Sequence, residues 1–139
     1  RGYGRRGFTQ YQFVIPFEDG LPRMRALLET ITSAGELPFL NVLKRMGKES
    51  EGPLSFPCEG YTFAIDFPIR RNTVALLRRL DAMVLDAGGR IYLGKDSYVE
   101  AATFRAMYPA VDRWLALKAK YDPGSLFTSD LGRRVGLVP

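Results

Sequence analysis

The sequence predicts an α+β domain in which a four-stranded antiparallel sheet carries two helices on one face. Two observations support this prediction. Three segments alternate apolar and polar residues with the period of two that strands show, and two segments repeat apolar residues at helical spacing. Their order along the chain is strand, helix, strand, strand, helix, strand, followed by further helices and a tail. No internal repeat or low-complexity block competes with this interpretation.

The predicted strands cover residues 10–17, 38–46, 61–67 and 90–94. The first helix follows a turn that places Pro22 in its first turn, and Gly35 ends it. Asn72 is predicted to cap the second helix, and Gly88-Gly89 ends that helix. This order is the ferredoxin-like β-α-β-β-α-β plan, with the first and third strands in the centre.

The remaining helices follow from caps and breakers. Ser97 and Glu100 match a capping box that would open a third helix. Pro109 is expected to divide that helix into two. After Asp122-Pro123-Gly124 the chain is too short for another substantial element.

Composition excludes several classes of site. The 139 residues fit a single domain with a real core, and 46% of them are hydrophobic. The chain contains no histidine, so a self-contained zinc, haem or Ser-His-Asp site is not expected, and we predict no metal site. Cys58 is the only cysteine, which allows no internal disulfide. The net charge of +5 suits an anionic partner without identifying one.

Alternation along the strands predicts the two faces of the sheet. The face under the helices should hold Tyr11, Phe13, Ile15, Phe39, Leu43, Phe63, Ile65 and Phe67. The opposite face should hold Gln10, Gln12, Leu40, Val42, Lys44, Thr62, Ala64 and Asp66. Because the second set is too mixed for a core and too apolar for bare solvent, we expect it to meet a ligand or another domain.

The expected strand directions bring several polar groups to one edge. With the first and third strands parallel to each other and opposite to the outer two, Gln10 and Thr62 would share an edge with Lys44 and Lys95. Gly94 would let a ligand approach the backbone closely. Strict alternation puts Lys95 on the helix side, so the fourth strand must end or bulge at Gly94 for that lysine to reach the open side.

Seven sequence blocks occur in a characteristic order. They are residues 10–16 (QYQFVIP), 39–42 (FLNV), 53–57 (PLSFP), 66–69 (DFPI), 90–97 (RIYLGKDS), 106–109 (AMYP) and 127–130 (FTSD). Over residues 10–137 the chain resembles the carboxy-terminal, substrate-side portion of FAD-linked oxidases of the vanillyl-alcohol-oxidase type. The likeness is greatest to the decaprenylphosphoryl-ribose oxidases and the aldonolactone oxidases, the group that includes D-arabinono-1,4-lactone oxidase.

The resemblance implies a flavoprotein oxidoreductase whose FAD is bound mainly by an amino-terminal domain outside this chain. It places Lys95 beside the flavin ring as the catalytic residue, with Tyr92 as a second cofactor contact. It implies that the substrate-binding residues are Gln10, Gln12, Leu40, Val42, Lys44, Thr62 and Ala64. Thr62 and Ala64 depart from the family pattern, because the mycobacterial members have asparagine and cysteine there. Lipid-linked ribose is therefore one candidate substrate among sugars, aldonolactones and polyols.

Flavin chemistry then predicts hydride transfer from a CH–OH carbon, with the protein supplying orientation and electrostatics. Lys95 would either stabilise negative charge on the reduced ring or take the alcohol proton. The sequence leaves both roles open, and a residue outside the chain is a second candidate for taking the proton. Alone, the chain is expected to be inactive.

The predicted organisation has three parts. Residues 1–9 are a loose segment or linker, residues 10–97 form the ferredoxin-like substrate domain, and residues 98–139 form helices and a tail packing on the missing FAD domain. The partners implied are that domain of the same polypeptide and a sugar or polyol, with no nucleic acid. A peripheral membrane association of the full-length enzyme stays open, as does a location in the cytoplasm or at a membrane.

Two other classes share this fold. Residues 60–67 faintly echo the aromatic strand of an RNA-recognition motif, which would need Tyr61 and Phe63 exposed for base stacking. A small regulatory ligand-binding module is the other alternative. For single residues the ordinary interpretation also stands: a lysine at a strand end is usually solvated, and Leu40 and Val42 suit a plain domain interface.

Overall fold

The structure is a computed structural model that describes residues 5–36, 38 and 40–139. It has four strands, β1 to β4, five helices, α1 to α5, and one 3₁₀ turn. In chain order these are β1 (Phe8–Pro16), α1 (Gly20–Ser33), β2 (Asn41–Met46), β3 (Gly60–Pro68), α2 (Thr73–Asp86), β4 (Arg90–Ile91), the 3₁₀ turn (Leu93–Lys95), α3 (Ala101–Met107), α4 (Val111–Tyr121) and α5 (Asp130–Arg134). The strand order is β2-β3-β1-β4, which confirms the predicted α+β class and its central strands.

The predicted strand directions are wrong. β3 runs antiparallel to β1, with Gln10 opposite Asp66 and Val14 opposite Thr62. The reason lies in the connections. A helical crossover brings β2 back in the direction of β1, whereas the loop between β2 and β3 reverses the chain, so β3 must oppose both. Gln10 and Thr62 therefore lie at opposite ends of the central strand pair.

The core lies between the sheet and α1 and α2, as predicted, and it continues to α3 and the tail, where Phe104 and Leu137 are buried. Tyr11, Phe13 and Ile15 are buried under α1 and α2 together with Phe63, Ile65 and Phe67. Leu43 was wrongly predicted to join them: 55% of it is exposed, because β2 is an edge strand and the helices pack over β1, β3 and β4. Phe39, also predicted for the core, lies outside the described residues.

β4 is shorter than predicted, since it ends at Ile91 and the chain turns into the 3₁₀ turn at Leu93. The Lys95 amide donates to the Tyr92 carbonyl at 3.0 Å and closes this turn. A Cβ on Gly94 would lie 2.8 Å from the Tyr92 ring, so a larger residue there would displace that ring. For Lys95 to leave the helix side, the fourth strand had to end or bulge by Gly94, and it ends before that residue.

Two predicted caps differ in chemistry. Asn72 does precede α2, but its side chain makes no capping bond; the Thr73 hydroxyl instead accepts from the Arg70 amide at 2.9 Å. The Ser97/Glu100 capping box is wrong, because Glu100 itself occupies the cap position of α3 and pairs with Arg78.

The amides before α3 are taken by Asp96, whose Oδ1 accepts from Tyr98 and Val99. A carboxylate two or three residues before a free amide bonds it in the manner of an Asx turn, and here it displaces the expected serine. The break at Pro109 is confirmed, because α3 ends at Met107 and α4 begins at Val111. Within the described ranges no helix has both the length and the apolarity that a membrane span needs.

A polar pair is buried inside the core. The Tyr11 hydroxyl on β1 donates to Asp81 Oδ1 on α2 at 2.8 Å, and both residues are buried. Burial raises the pKa of Asp81 to about 6; the Tyr11 hydrogen bond opposes that rise, and the nearby Asp96 carboxylate adds to it. Folding therefore disfavours the ionised form of Asp81 relative to the same group in the unfolded chain.

This pair predicts a pH dependence of stability. Because the folded pKa of Asp81 lies above its ordinary value, its protonated form stabilises the fold at low pH, and that contribution is lost as pH rises through about 6. Asp81→Asn should be near neutral at pH 4 and raise the free energy of unfolding by up to about 3 kcal/mol at pH 8. Urea unfolding across this range measures the effect, with Glu29→Gln as an exposed control. If the free energies of unfolding of wild type and Asp81→Asn changed in parallel with pH, the prediction would be wrong.

Candidate functional site

The candidate site is the sheet face turned away from α1 and α2, called the open face below. Strand register arranges it in three rows. The middle row places Gln12 of β1 beside Ala64 of β3 and Val42 of β2. One neighbouring row holds Val14, Thr62 and Lys44, and the other holds Gln10 and Asp66 with Leu40 just before β2. The structure therefore brings all the predicted substrate-binding residues to one face.

Gln12 lies at the centre of the middle row. It is only 8% exposed, and its Nε2 donates to Thr62 Oγ1 at 3.0 Å. On its other side the Tyr92 amide donates to the Gln12 carbonyl at 2.8 Å, which brings Tyr92 alongside it. Ala64 and Val42 are half-buried and form an apolar floor beside the amide. The row thus joins a fixed amide, an aromatic ring and an apolar strip.

Thr62 lies beneath the surface of the open face and does not line it. It is 1% exposed, and its hydroxyl donates to the Phe13 carbonyl at 2.7 Å while accepting from Gln12. The Thr62 hydroxyl thus has its proton and one acceptor site engaged within the sheet, and it links to the open face through Gln12.

The third row is more polar. Gln10 is exposed, and its Nε2 donates to Asp66 Oδ1 at 3.1 Å. The Asp66 amide donates to the Leu40 carbonyl at 3.2 Å, which extends the ladder beyond the first residue of β2. Leu40 itself is exposed at the sheet edge. Gln10 and Leu40 therefore expose this end of the open face to solvent, whereas Val14 at the other end is buried.

One end of the open face is covered by the loop of residues 47–59, called the cover loop below. Val14 belongs to the open face yet is fully buried. The Phe56 ring packs on Tyr92 with ring centres 4.8 Å apart, and Arg90 Nη1 donates to the Ser55 carbonyl at 2.8 Å. The cover loop therefore reaches across the sheet from the β2 edge to β4 and walls one side of the middle row.

Phe56 and Arg90 were not predicted for this site. The cover loop shows no hydrophobic periodicity, so pattern analysis assigns its residues no position. The available signal was Phe56 itself, a large aromatic between two prolines in a loop otherwise rich in glycine and charge. Such a residue is costly to leave exposed and is expected to pack on a neighbouring surface.

The predicted meeting of Lys44 and Lys95 is wrong. Lys44 is on β2 opposite Thr62, whereas Lys95 follows β4 at the other edge of the sheet. Three strand spacings, roughly 14 Å, separate those edges. Because β4 runs antiparallel to β1, the 3₁₀ turn passes alongside Tyr11 and Gln10, and Lys95 belongs to that end. Among the described residues its ammonium has no hydrogen-bond or ion-pair partner.

The described residues of the open face give a ligand one wall. The face offers an amide, a ring and an apolar floor, and Lys95 follows in the turn at its β4 edge. The cleft of about 400 Å³ between α1 and α2 lies on the far side of the sheet and includes none of these residues. A ligand bound over Gln12 would need a second surface to enclose it, since small-molecule sites bury most of their ligand.

Comparison with known proteins decides the family. The sequence model of the family described as D-arabinono-1,4-lactone oxidase matches residues 5–135. The chain belongs to the D-arabinono-1,4-lactone oxidase family. The resemblance seen in the sequence blocks is thereby confirmed.

Curated relatives agree with this assignment. Decaprenylphosphoryl-β-D-ribose oxidase of Mycolicibacterium smegmatis is 42% identical over 138 residues, which are 99% of this chain and 30% of that protein. L-gulono-1,4-lactone dehydrogenase of Mycobacterium tuberculosis is 27% identical over 131 residues, 92% of this chain and 30% of the relative. An uncharacterised protein of Streptomyces coelicolor is 43% identical over 115 residues, 82% of this chain and 31% of the relative. The chain thus spans about 30% of the length of the relatives it matches.

The nucleic-acid alternative loses its structural support. Phe63 is buried in the core beneath the helices, and the Tyr61 ring packs edge-on against Phe17 with centres 4.9 Å apart. Neither ring is free to stack on a base, as an RNA-recognition sheet requires. On the open face of this oxidase-family chain, β3 presents Thr62, Ala64 and Asp66 instead.

Proposed function

We propose that this chain is the carboxy-terminal, substrate-covering portion of a longer FAD-dependent oxidoreductase that oxidises a CH–OH group of a sugar, aldonolactone or polyol. The observation that carries the proposal is the one-sided open face, whose middle row sets the Gln12 amide beside the Tyr92 ring, with Lys95 following along the β4 edge. Two relatives are named as a sugar oxidase and a sugar-lactone dehydrogenase, and each is about three times as long as this chain. We expect the chain alone to bind no FAD and to show no oxidase activity.

The residues along the β4 edge of the sheet suit one side of a flavin ring. Bound FAD would accept hydride from the alcohol carbon, which is chemistry that side chains do not supply. Lys95 would place a positive charge where the reduced ring gains negative charge, and its lack of a partner among the described residues leaves it available. Tyr92, held against Phe56, would pack beside it. Most of the cofactor would be bound by the part of the polypeptide outside this chain.

The substrate would lie over the middle row. Gln12 would orient it by a hydrogen bond, while Ala64, Val42 and Leu40 would contact its apolar edge and exclude water. Either Lys95 or a group outside the chain would accept the alcohol proton. Ala64, a small residue at the centre of the floor, leaves room there for a substrate ring.

The segment after α4 supplies a docking surface for the rest of the polypeptide. Leu126 and Phe127 are 84% and 79% exposed, yet their amides donate to the Asp122 carboxylate at 2.8 and 3.0 Å. Asp122 also pairs with Lys118, and these bonds lower its pKa to about 2. Two large apolar side chains are thus presented on a fixed backbone, which reduces the ordering cost of burying them. We assign this surface to the FAD-binding domain.

Replacing Lys95 tests the catalytic assignment. In the complete polypeptide, Lys95→Ala should slow flavin reduction by about 100-fold or more, because a fixed cation at developing charge is lost. The fold should survive, since this side chain has no partner among the described residues. Stopped-flow absorbance of the flavin measures the rate. Arg25→Ala, an exposed cation on α1, is the control, and near-normal reduction in Lys95→Ala would remove the assignment.

Replacing the exposed apolar pair tests the docking surface. The double change Leu126→Ser and Phe127→Ser should lower the melting temperature and FAD retention of the complete polypeptide, while unfolding of the 139-residue chain alone should not change. Leu21→Ser, at an apolar position on α1 that is 62% exposed, should change neither measurement. Equal effects of the two sets of variants would show that this surface is not an interface.

A further inference from the structure

The hydrogen bonds beneath the open face fix which end of the Gln12 amide a ligand meets. The Phe13 carbonyl can only accept, so the Thr62 hydroxyl, 2.7 Å away, must donate its single proton to it. That hydroxyl can then only accept from Gln12, and the atom that faces it at 3.0 Å must be the NH₂ group. Nitrogen and oxygen of a glutamine amide are ordinarily assigned by such a network, and here it admits one orientation.

The other end of the amide is therefore the carbonyl oxygen. No described residue donates to Gln12 Oε1, and that oxygen is not enclosed, although the residue as a whole is 8% exposed. The residue that carries it lies in the middle row, opposite Ala64 and beside Tyr92. The centre of the open face thus presents an acceptor, held in place from below by a buried hydroxyl.

We infer that Thr62 is a positioning residue that selects the hydrogen-bonding character of the site: it turns Gln12 so that only a donor group binds over it. This inference rests on the proposed function for the identity of the ligand. The donor would be a substrate hydroxyl or the imide N–H of a flavin ring, two sources with the same chemistry. A substrate carrying an ether or carbonyl oxygen at that point would meet lone pairs and be rejected.

Thr62→Val tests the inference, because it keeps the shape and β-branching while removing the hydroxyl. The Gln12 NH₂ loses its acceptor and the amide becomes free to rotate. In the ¹⁵N-labelled complete polypeptide, hydrogen exchange of the Gln12 side-chain amide, assigned through Gln12→Ala, should become about 10-fold faster or more, as expected for loss of one hydrogen bond. Thr62→Ser should restore slow exchange. Unchanged exchange in Thr62→Val would overturn the inference, whether or not the proposed function holds.

A second arm tests the selection itself. The probes are D-arabinono-1,4-lactone, its singly O-methylated derivatives, and FAD methylated at the imide nitrogen. For one probe, wild type and Thr62→Ser should bind the unmethylated form about 10-fold more tightly than the methylated form. Thr62→Val should bind the two forms equally well. Loss of this preference with a methylated lactone identifies a substrate hydroxyl, and loss with the methylated FAD identifies the flavin. Equal preference in wild type and Thr62→Val would overturn the selection.

A wild type that oxidises none of the lactones yet shows slow amide exchange would contradict the proposed substrate class and leave the orientation of Gln12 standing.

Discussion

The antiparallel pairing of β1 with β3 is the constraint on which the site depends. It sets Gln12 opposite Ala64 and brings Thr62, one diagonal step away, within hydrogen-bond reach of the Gln12 amide. Because side chains alternate between faces, a slip of one residue would move Gln12 into the core and Phe13 onto the open face. The packing of Phe13, Ile15 and Phe63 under the helices resists such a slip. Core packing on one face thus fixes the geometry of the polar groups on the other.

The two ends of the open face differ in their exposure to solvent. At the Val14 end the cover loop seals the sheet through Phe56 and the Arg90 bond to Ser55. At the Gln10 end the face stays wet and carries Lys95 beside the first residues of β1. A site closed on one side and open on the other suits a chain that completes a pocket together with another domain. Membership of the D-arabinono-1,4-lactone oxidase family, and the greater length of the relatives, agree with that division.

Sequence periodicity predicted the elements and most of the core, because alternation and helical spacing report burial directly. Tyr11, Phe13 and Ile15 are where the alternation placed them, and Pro109 separates α3 from α4. Leu43 shows the limit of the method, since period alone does not tell an edge strand that the helices leave uncovered. The strand directions were wrong although the strand order was right, and that error produced the false meeting of Lys44 with Lys95. The Thr62 hydrogen bonds and the Tyr11–Asp81 pair depend on distances between elements far apart in the chain, which no local pattern contains.

We propose that the open face, and not the helical side, borders the flavin. A structure of the complete polypeptide with bound FAD and a substrate analogue tests this most directly. We expect the isoalloxazine ring to lie over the β4 edge of the open face, with Lys95 Nζ at the rim of the ring and a donor group on Gln12 Oε1. A ring that bordered α1 and α2, or that lay beyond reach of both Lys95 and Gln12, would contradict it.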